Sequence, residues 1–329
     1  MDLSIIIVNY KAWSSLSVTL GCLRDMMNEK IDFEVIVVDN GSNDGQLEKF
    51  VQLFGGFKFI ENSGNWGFSH ACNLGAASAS RNYFLFLNPD TLPNAPAIEA
   101  IYEELRHQPE YGILSCLQND RNELNIKLAP NLFTLLGFTR MIYRYINRQS
   151  FKQRSCRCQS IAHPDWVSGS IVMISRHWFE HVGGWDVDFW LYSEDTDLSR
   201  RVAMKGGRIG ILCTQKMIHR HGGASRVDHS TTAITKSEVK ISNHVYLQKH
   251  FTGNTKIAGH CILIVNNLLI NLPMAIAGMI IFFIARFNVY SRIYRNLILY
   301  YLRVIQTGIW ISSRSKNYPG GKYKAPYTE

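Results

Sequence analysis

The chain opens on a run of apolar, mostly β-branched residues from Ser4 to Val8, and the pattern returns at Val35 to Val38. Continuous apolar runs of this length suit strands of a parallel sheet covered on both faces. Between them, Trp13 to Met27 carries apolar residues at helical spacing, completing one βαβ unit. Phe57 to Ile60 is expected to form a third strand, Ser69 to Ser80 a helix of small residues, and Tyr83 to Leu87 a fourth buried strand. Strands alternating with helices predict an α/β domain whose ligands collect at the carboxyl ends of the strands. The loops beginning at Asn9, Asp39 and Asn88 would converge there.

Residues 119 to 165 show no regular pattern, but from Asp165 the text again predicts elements: a strand ending near Ile174, a helix containing Trp178 and Phe179, and a polar, aromatic loop. Residues 257 to 285 contain no Asp, Glu, Lys or Arg, a length that can cross a bilayer core of about 30 Å. Asn266, Asn267, Asn271 and Pro273 interrupt this stretch, and basic residues flank both sides. A single span would put one basic flank outside, against the positive-inside tendency. Asn296 to Ser312, interrupted by Arg303, reads as an interfacial helix. A monotopic or re-entrant anchor is therefore expected, the alternative being a buried core helix over Cys261 to Ile284.

Charge sharpens the division of the chain. The formal charge is +9; residues 1–230 hold 23 Lys/Arg against 24 Asp/Glu, whereas residues 231–329 hold 12 against 2. A basic tail interleaved with long apolar runs fits an anionic membrane surface and not nucleic acid. The chain thus reads as a domain over residues 1–230 followed by a helical membrane-association region over 231–329. Seven scattered cysteines predict no disulfide framework and a reducing compartment. The first residues lack a basic n-region, so no signal peptide is expected and the N-terminal domain should stay in the cytoplasm.

Four polar clusters could carry chemistry. Asp39, after a buried strand, can accept hydrogen bonds from a base or ribose while Gly41 and Gly45 admit a ligand to the backbone, although the same residues make a good turn. Asn88, Pro89 and Asp90 offer carboxylate oxygens to a hard cation, or Asp90 caps the following helix, expected at about residues 95 to 106. Glu194, Asp195 and Asp197 crowd three acids where a helix begins beside Trp185, Phe189, Trp190 and Tyr192; acids suit a helix start, but crowding also shifts pKa values as a general base requires. His219, Arg220 and His221, followed by two glycines, suit a metal or a phosphate. Cys156 and Cys158 near His163 lack the second ligand pair of a metal cluster.

Taken in order, the segments at Ile6–Tyr10, Val37–Ser42, Asn62–Phe68, Leu85–Thr91, Asp165–Ser170 and Phe189–Arg200 resemble family 2 glycosyltransferases, most nearly the rhamnosyltransferase-like branch of bacterial polysaccharide assembly. The resemblance covers roughly residues 3 to 226. It implies a GT-A fold, Rossmann-like and specific for nucleotide-diphospho-sugars, and an inverting transfer. By the same resemblance, nucleotide-sugar contacts fall on Val8, Asn9, Tyr10, Asp39, Gly41, Asn65, Gly67, Asn73, Asn88, Trp166 and Gly169. Asn88-Pro89-Asp90 stands where the family has Asp-x-Asp, one acid fewer, so Asp90 with His219 or His221 would hold Mg2+ or Mn2+. Glu194-Asp195 matches the family's Glu-Asp pair, with Asp195 as the base and Glu194 orienting it.

The partners implied are a nucleotide-sugar donor, with dTDP-rhamnose the best match, a lipid-linked or other saccharide acceptor, and a membrane surface. A non-catalytic membrane-bound module that binds sugar nucleotides or glycans would use the same fold, but would not need the Glu194-Asp195 pair. A nucleotidyltransferase would carry a Gly-rich loop and Lys near the first strand, and a nicotinamide-dependent dehydrogenase a Gly-x-Gly-x-x-Gly; neither follows Val8.

Overall fold

The structure is a computed structural model that describes residues 1–28, 31–118, 130, 160–220, 228–281 and 285–319. Its centre is an eight-stranded sheet in the order β3-β2-β1-β4-β8-β6-β9-β7. Strands β1 (Leu3–Asn9), β2 (Glu34–Asp39), β3 (Lys58–Glu61) and β4 (Tyr83–Leu87) run parallel. Strand β8 (Ile171–Ser175) is antiparallel to both β4 and β6 (Tyr111–Leu117). At the far edge β9 (Arg208–Lys216) runs parallel to β6, and the short β7 (Ile161–Ala162) lies antiparallel to β9.

Alternate residues of a strand face opposite sides of its sheet, and the core divides accordingly. Ile5, Ile7, Val35, Val37, Leu85 and Leu87 pack under helices α1 (Trp13–Asn28) and α4 (Ala95–His107). Ile6, Val8, Ile36, Val38, Phe84 and Phe86 pack under α3 (Phe68–Ala77), α5 (Arg176–His181) and α6 (Glu194–Met204). The small residues of α3 let it lie close: a Cβ on Gly75 would come within 2.5 Å of the Ile6 side chain. Helix α2 (Leu47–Leu53) closes the β2–β3 crossover.

Two features of topology build the site. The reversal at β8 places its first residue opposite the last of β4, in the pair Leu87 and Ile171, so the segment before β8 meets the loop after β4. A second, two-stranded ladder joins β5 (Thr91–Leu92) to β10 (Ile218–His219) antiparallel, pairing Thr91 with His219.

Beyond the sheet lie α7 (His229–His250), α8 (Gly253–Val265), a π-helical turn at Asn266–Ile270, α9 (Leu272–Ile280) and α10 (Ala285–Thr307). A third core joins Ile241, Val245 and Tyr246 of α7 to Val289, Ile293, Leu297 and Tyr300 of α10, and takes in Phe189 from the aromatic loop. The apolar segment Asn296 to Ser312, expected as an interfacial helix, is helical as far as Thr307 and belongs to a helix that begins earlier, at Ala285. The charge-free stretch is not a buried core helix: Val265, Leu269, Met279 and Ile280 are exposed on it. Cys22, Cys72, Cys116 and Cys261 are free thiols, but Cys213 is disulfide-bonded, a pairing the scattered cysteines did not lead us to expect.

Candidate active site

Parallel register aligns Asn9 with Asp39 at the carboxyl ends of β1 and β2. Asn9 Nδ2 donates to Asp39 Oδ1 at 3.0 Å, and Ser42 donates twice, from Oγ to Oδ1 at 2.5 Å and from its backbone N–H to Oδ2 at 3.0 Å. Asp39 is buried, and burial pushes its carboxyl above the usual range even though these bonds to Ser42 and Asn9 oppose the shift. Gly41 is required: its φ is +75° and a Cβ would lie 2.7 Å from the Gly64 backbone. Val8 is buried and Tyr10 half-buried beside this pair.

The next loop is tied to the aromatic segment 185–193. Asn40 Nδ2 donates to Asn65 Oδ1 at 3.0 Å, and Trp190 Nε1 donates to the Asn65 carbonyl at 3.0 Å. Gly67, at φ +95°, touches the Trp190 backbone so closely that a Cβ would sit 2.4 Å from its carbonyl oxygen. Asn73 has its amide committed to Trp185, donating to the carbonyl at 2.7 Å and accepting the N–H at 2.9 Å. Asn65, Gly67 and Asn73 thus brace the segment 185–193.

After β4, Asp90 Oδ1 lies 3.0 Å from His219 Nε2, and Asn88 Nδ2 lies 3.3 Å from the same nitrogen. The β5–β10 ladder makes this meeting possible across 129 residues. Asn88 also donates its N–H to the Ser170 carbonyl at 3.0 Å, joining it to the segment that carries Trp166 and Gly169. Asp90 does not cap α4; Asn94 does, accepting the Ala97 N–H at 3.0 Å. His221 lies outside the described residues. No group of three or more His, Cys, Asp or Glu side chains suited to a metal occurs among the described residues. One carboxylate oxygen and one imidazole nitrogen, both buried at a strand end, fit a divalent cation that takes its remaining ligands from a diphosphate and water.

Helix α6 begins at Glu194, after two successive non-glycine residues in the left-handed region, Tyr192 at φ +71° and Ser193 at φ +66°. Such backbone is costly and clusters at functional sites. The three acids that follow have separate fates. Asp197 is fully buried between Arg201 Nε and His250 Nε2, both at 2.7 Å, which makes it a structural anchor. Glu194 is buried with Oε2 lacking a hydrogen-bond partner; burial, and then the charge of Asp195, push its carboxyl well above the usual range. Asp195 is half-buried, accepting the Gly169 N–H at 3.0 Å and the Thr196 N–H at 2.7 Å. Two adjacent carboxyls thus stand in unlike environments, Glu194 buried with its pKa raised and Asp195 half-buried and accepting two backbone N–H groups, an arrangement in which acid and base roles can separate.

Comparison with known proteins gives the class of enzyme. Residues 4–164 match the family described as Glycosyl transferase family 2, and residues 155–235 match a second described as N-terminal domain of galactosyltransferase. The chain is a glycosyltransferase similar to family 2. It is similar to the N-acetylglucosaminyl-diphospho-decaprenol L-rhamnosyltransferase of Mycobacterium tuberculosis, 23% identical over 67% of this chain and 76% of the relative. It is also similar to rhamnosyltransferase WbbL of Escherichia coli K12, 25% identical over 60% of this chain and 76% of the relative. Among solved structures, the mannosyltransferase PcManGT of Pyrobaculum calidifontis, in complex with GDP-Man and Mn2+, shares the fold with a TM-score of 0.53, at 17% identity, over 90% of this chain and 85% of that one. The architecture of this glycosyltransferase is accordingly GT-A.

Sequence reasoning missed several residues that hold the transferase site together. Ser42 lies in the Val37–Ser42 segment, yet its two hydrogen bonds to Asp39 depend on loop geometry. His250 and Lys249, at the end of α7, lie beyond the resemblance and reach the site only through the fold.

Proposed function

We propose that this glycosyltransferase catalyses an inverting transfer of a hexose from a nucleoside diphosphate to a hydroxyl of a lipid-linked saccharide in cell-surface polysaccharide synthesis, with L-rhamnose from dTDP-rhamnose as the first donor to test. Two relatives named as rhamnosyltransferases support the sugar, and one is named for a decaprenol-diphosphate-linked N-acetylglucosamine. The observation that carries the reading is Asp195 held by the N–H groups of Gly169 and Thr196, with Gly169 in the same segment as Ser170, whose carbonyl accepts the N–H of Asn88, two residues before the Asp90–His219 pair.

In this mechanism Asp195 removes the acceptor proton as the hydroxyl attacks the anomeric carbon, and the donor diphosphate leaves from the opposite face. Buried Glu194 remains neutral and supports Asp195 by adding no second charge. Asp90 and His219 would hold Mg2+ or Mn2+, which supplies positive charge against the departing diphosphate. The Asp39 loop receives the nucleoside. The C-terminal helices would attach the protein to the cytoplasmic face of the bacterial inner membrane, as a peripheral or monotopic attachment or a re-entrant anchor, a reading supported by the exposed apolar residues of the charge-free stretch.

The test is transfer and donor binding by the purified protein across a panel of nucleotide sugars with Mg2+, Mn2+ or EDTA. One selective donor, bound better with metal, is expected. Asp195→Asn should keep donor binding and lose transfer by about 100- to 10,000-fold, the usual range for a general base. Asp90→Ala should remove the metal dependence of binding. Full transfer by Asp195→Asn would overturn the base assignment, and binding of no donor would overturn the catalytic reading.

A further inference from the structure

Segment 185–193 delivers the catalytic pair, yet its own backbone does not explain its shape. It ends in the two left-handed residues Tyr192 and Ser193, a conformation that persists only when surroundings over-determine it. Those surroundings come from the C-terminal helices. Lys249 Nζ, at the end of α7, lies 2.6 Å from Asp186 Oδ2 and 2.5 Å from Asp188 Oδ2. Burial opposes its charge, but the two carboxylates outweigh burial and raise its pKa. Ser242, also in α7, donates its hydroxyl to the Leu191 carbonyl at 2.8 Å.

A second set of contacts comes from the chain after α10. The Ser315 hydroxyl, fully buried, donates to the Val187 carbonyl at 2.6 Å, and Asn317 Nδ2 donates to Asp188 Oδ1 at 2.8 Å. This strap is itself pinned to α7: Ser312 Oγ and Arg314 Nη1 both lie 3.0 Å from Oε1 of the buried Glu238. The Arg314 guanidinium stands 5.9 Å from the Trp190 ring and Lys316 Nζ 4.3 Å from the Trp66 ring. Every one of these bonds joins residues more than 50 apart in sequence.

We infer that Lys249 and the strap Ser312–Asn317 are positioning residues for catalysis, clamping the 185–193 segment so that Asp195 faces the acceptor. This rests on the transferase reading for its catalytic consequence, whereas the clamp itself can be tested without it. The C-terminal region then has a role in the chemistry that is separate from membrane attachment.

The experiment uses the full chain with three changes: Lys249→Ala, Lys249→Arg, and the pair Ser315→Ala with Asn317→Ala. Hydrogen exchange of backbone amides over residues 185–196 is the first readout. Exchange should rise about tenfold in Lys249→Ala and in the strap pair, with β1 and β4 unchanged, because the clamp governs a local opening. Lys249→Arg, which keeps the charge between the two carboxylates, should restore protection. The second readout is transfer from dTDP-rhamnose to N-acetylglucosaminyl diphosphate on a short polyprenyl chain, beside binding of dTDP alone. Lys249→Ala should lower kcat by about 100-fold, the loss expected for a reacting group displaced by roughly 1 Å, with dTDP affinity kept. Unchanged exchange over 185–196, or an equal rise in β1 and β4, would overturn the clamp. Exchange as expected with no transfer by the parent protein would overturn the substrate reading and leave the clamp standing.

Discussion

Glu194 is the residue whose chemistry departs furthest from its ordinary state among the acids of the site. Its raised pKa means that ionisation costs more in the folded chain than in the unfolded one. The sign follows directly. Below the unfolded carboxyl pKa of about 4.3 both states are neutral and Glu194 costs nothing. As pH rises from there towards the folded pKa, the unfolded state loses its proton first and folding stability falls. Glu194→Gln cannot ionise, so its Tm should match the parent in acid and exceed it increasingly towards neutrality. Calorimetric Tm measured across that pH range checks this; a difference independent of pH would show that Glu194 is ionised in the fold. Its neighbours have partners that Glu194 Oε2 lacks: Asp197 lies between Arg201 and His250, and Asp195 accepts two backbone N–H groups. The crowding of three acids is plain in the sequence, but their separation into a buried ion-paired anchor, a buried carboxyl with a raised pKa and a half-buried carboxyl on two N–H donors is not, since His250 and the Gly169 N–H arrive from distant elements.

At the scale of elements, the approach of two loops can be tested with glycines. Gly67 and Gly45 both have positive φ, +95° and +70°, but only at Gly67 would a Cβ collide with backbone, that of Trp190; around Gly45 nothing lies within 4 Å. Gly45→Ala should cost only backbone strain, about 1–3 kcal/mol. Gly67→Ala should cost more, by the overpacking of a rigid contact, about a further 1–3 kcal/mol. Urea midpoints of the two variants measure the difference, and equal costs would mean that the Gly67–Trp190 contact is not tight. Elements differ in how far pattern alone reveals them. Strand β4 has the bounds its apolar run suggests, and α1 and α4 end within a residue or so of their helical spacing. Strands β6 and β9 carry a weaker signal: Gly112 and Ser115 break the run of β6, and β9 ends in polar residues. The antiparallel direction of β8 was equally hidden, because a buried apolar strand carries no mark of its orientation. Yet that reversal sets Ser170 beside Asn88 and thereby brings two of the quoted motifs together.

For the whole molecule, the decisive asymmetry is between the two sides of the C-terminal helices. Their inner side is committed to protein: Leu263, Ala275 and Gly278 are buried, a Cβ on Gly278 would meet the Phe287 carbonyl oxygen at 2.2 Å, and buried Asn267 donates to Tyr301 Oη at 2.9 Å while accepting from Lys240 at 3.1 Å. The outer side is apolar and open, with Leu269 and Ile280 on the charge-free stretch and Leu299, Leu302 and Ile305 on α10, where Ile305 is 81% exposed. Gly253–Ile280 has the length and composition to cross a membrane, but crossing would strip Asn267 and Gly278 from these partners. Lying along the surface keeps every inner contact and offers lipid only the outer face, with exposed Arg292 and Arg295 near anionic head groups. Changing Leu299, Leu302 and Ile305 together to Ser removes three side chains each worth about 1.5–3 kcal/mol when buried. Co-sedimentation with phosphatidylglycerol vesicles should therefore fall by at least about tenfold, even allowing for partial insertion. Added salt should weaken binding of the parent protein by screening the arginines, and alkaline carbonate should release it from membranes. Retention after carbonate, together with unaltered binding of the triple variant, would mean that the chain spans the bilayer and that the inner contacts seen here are given up on insertion.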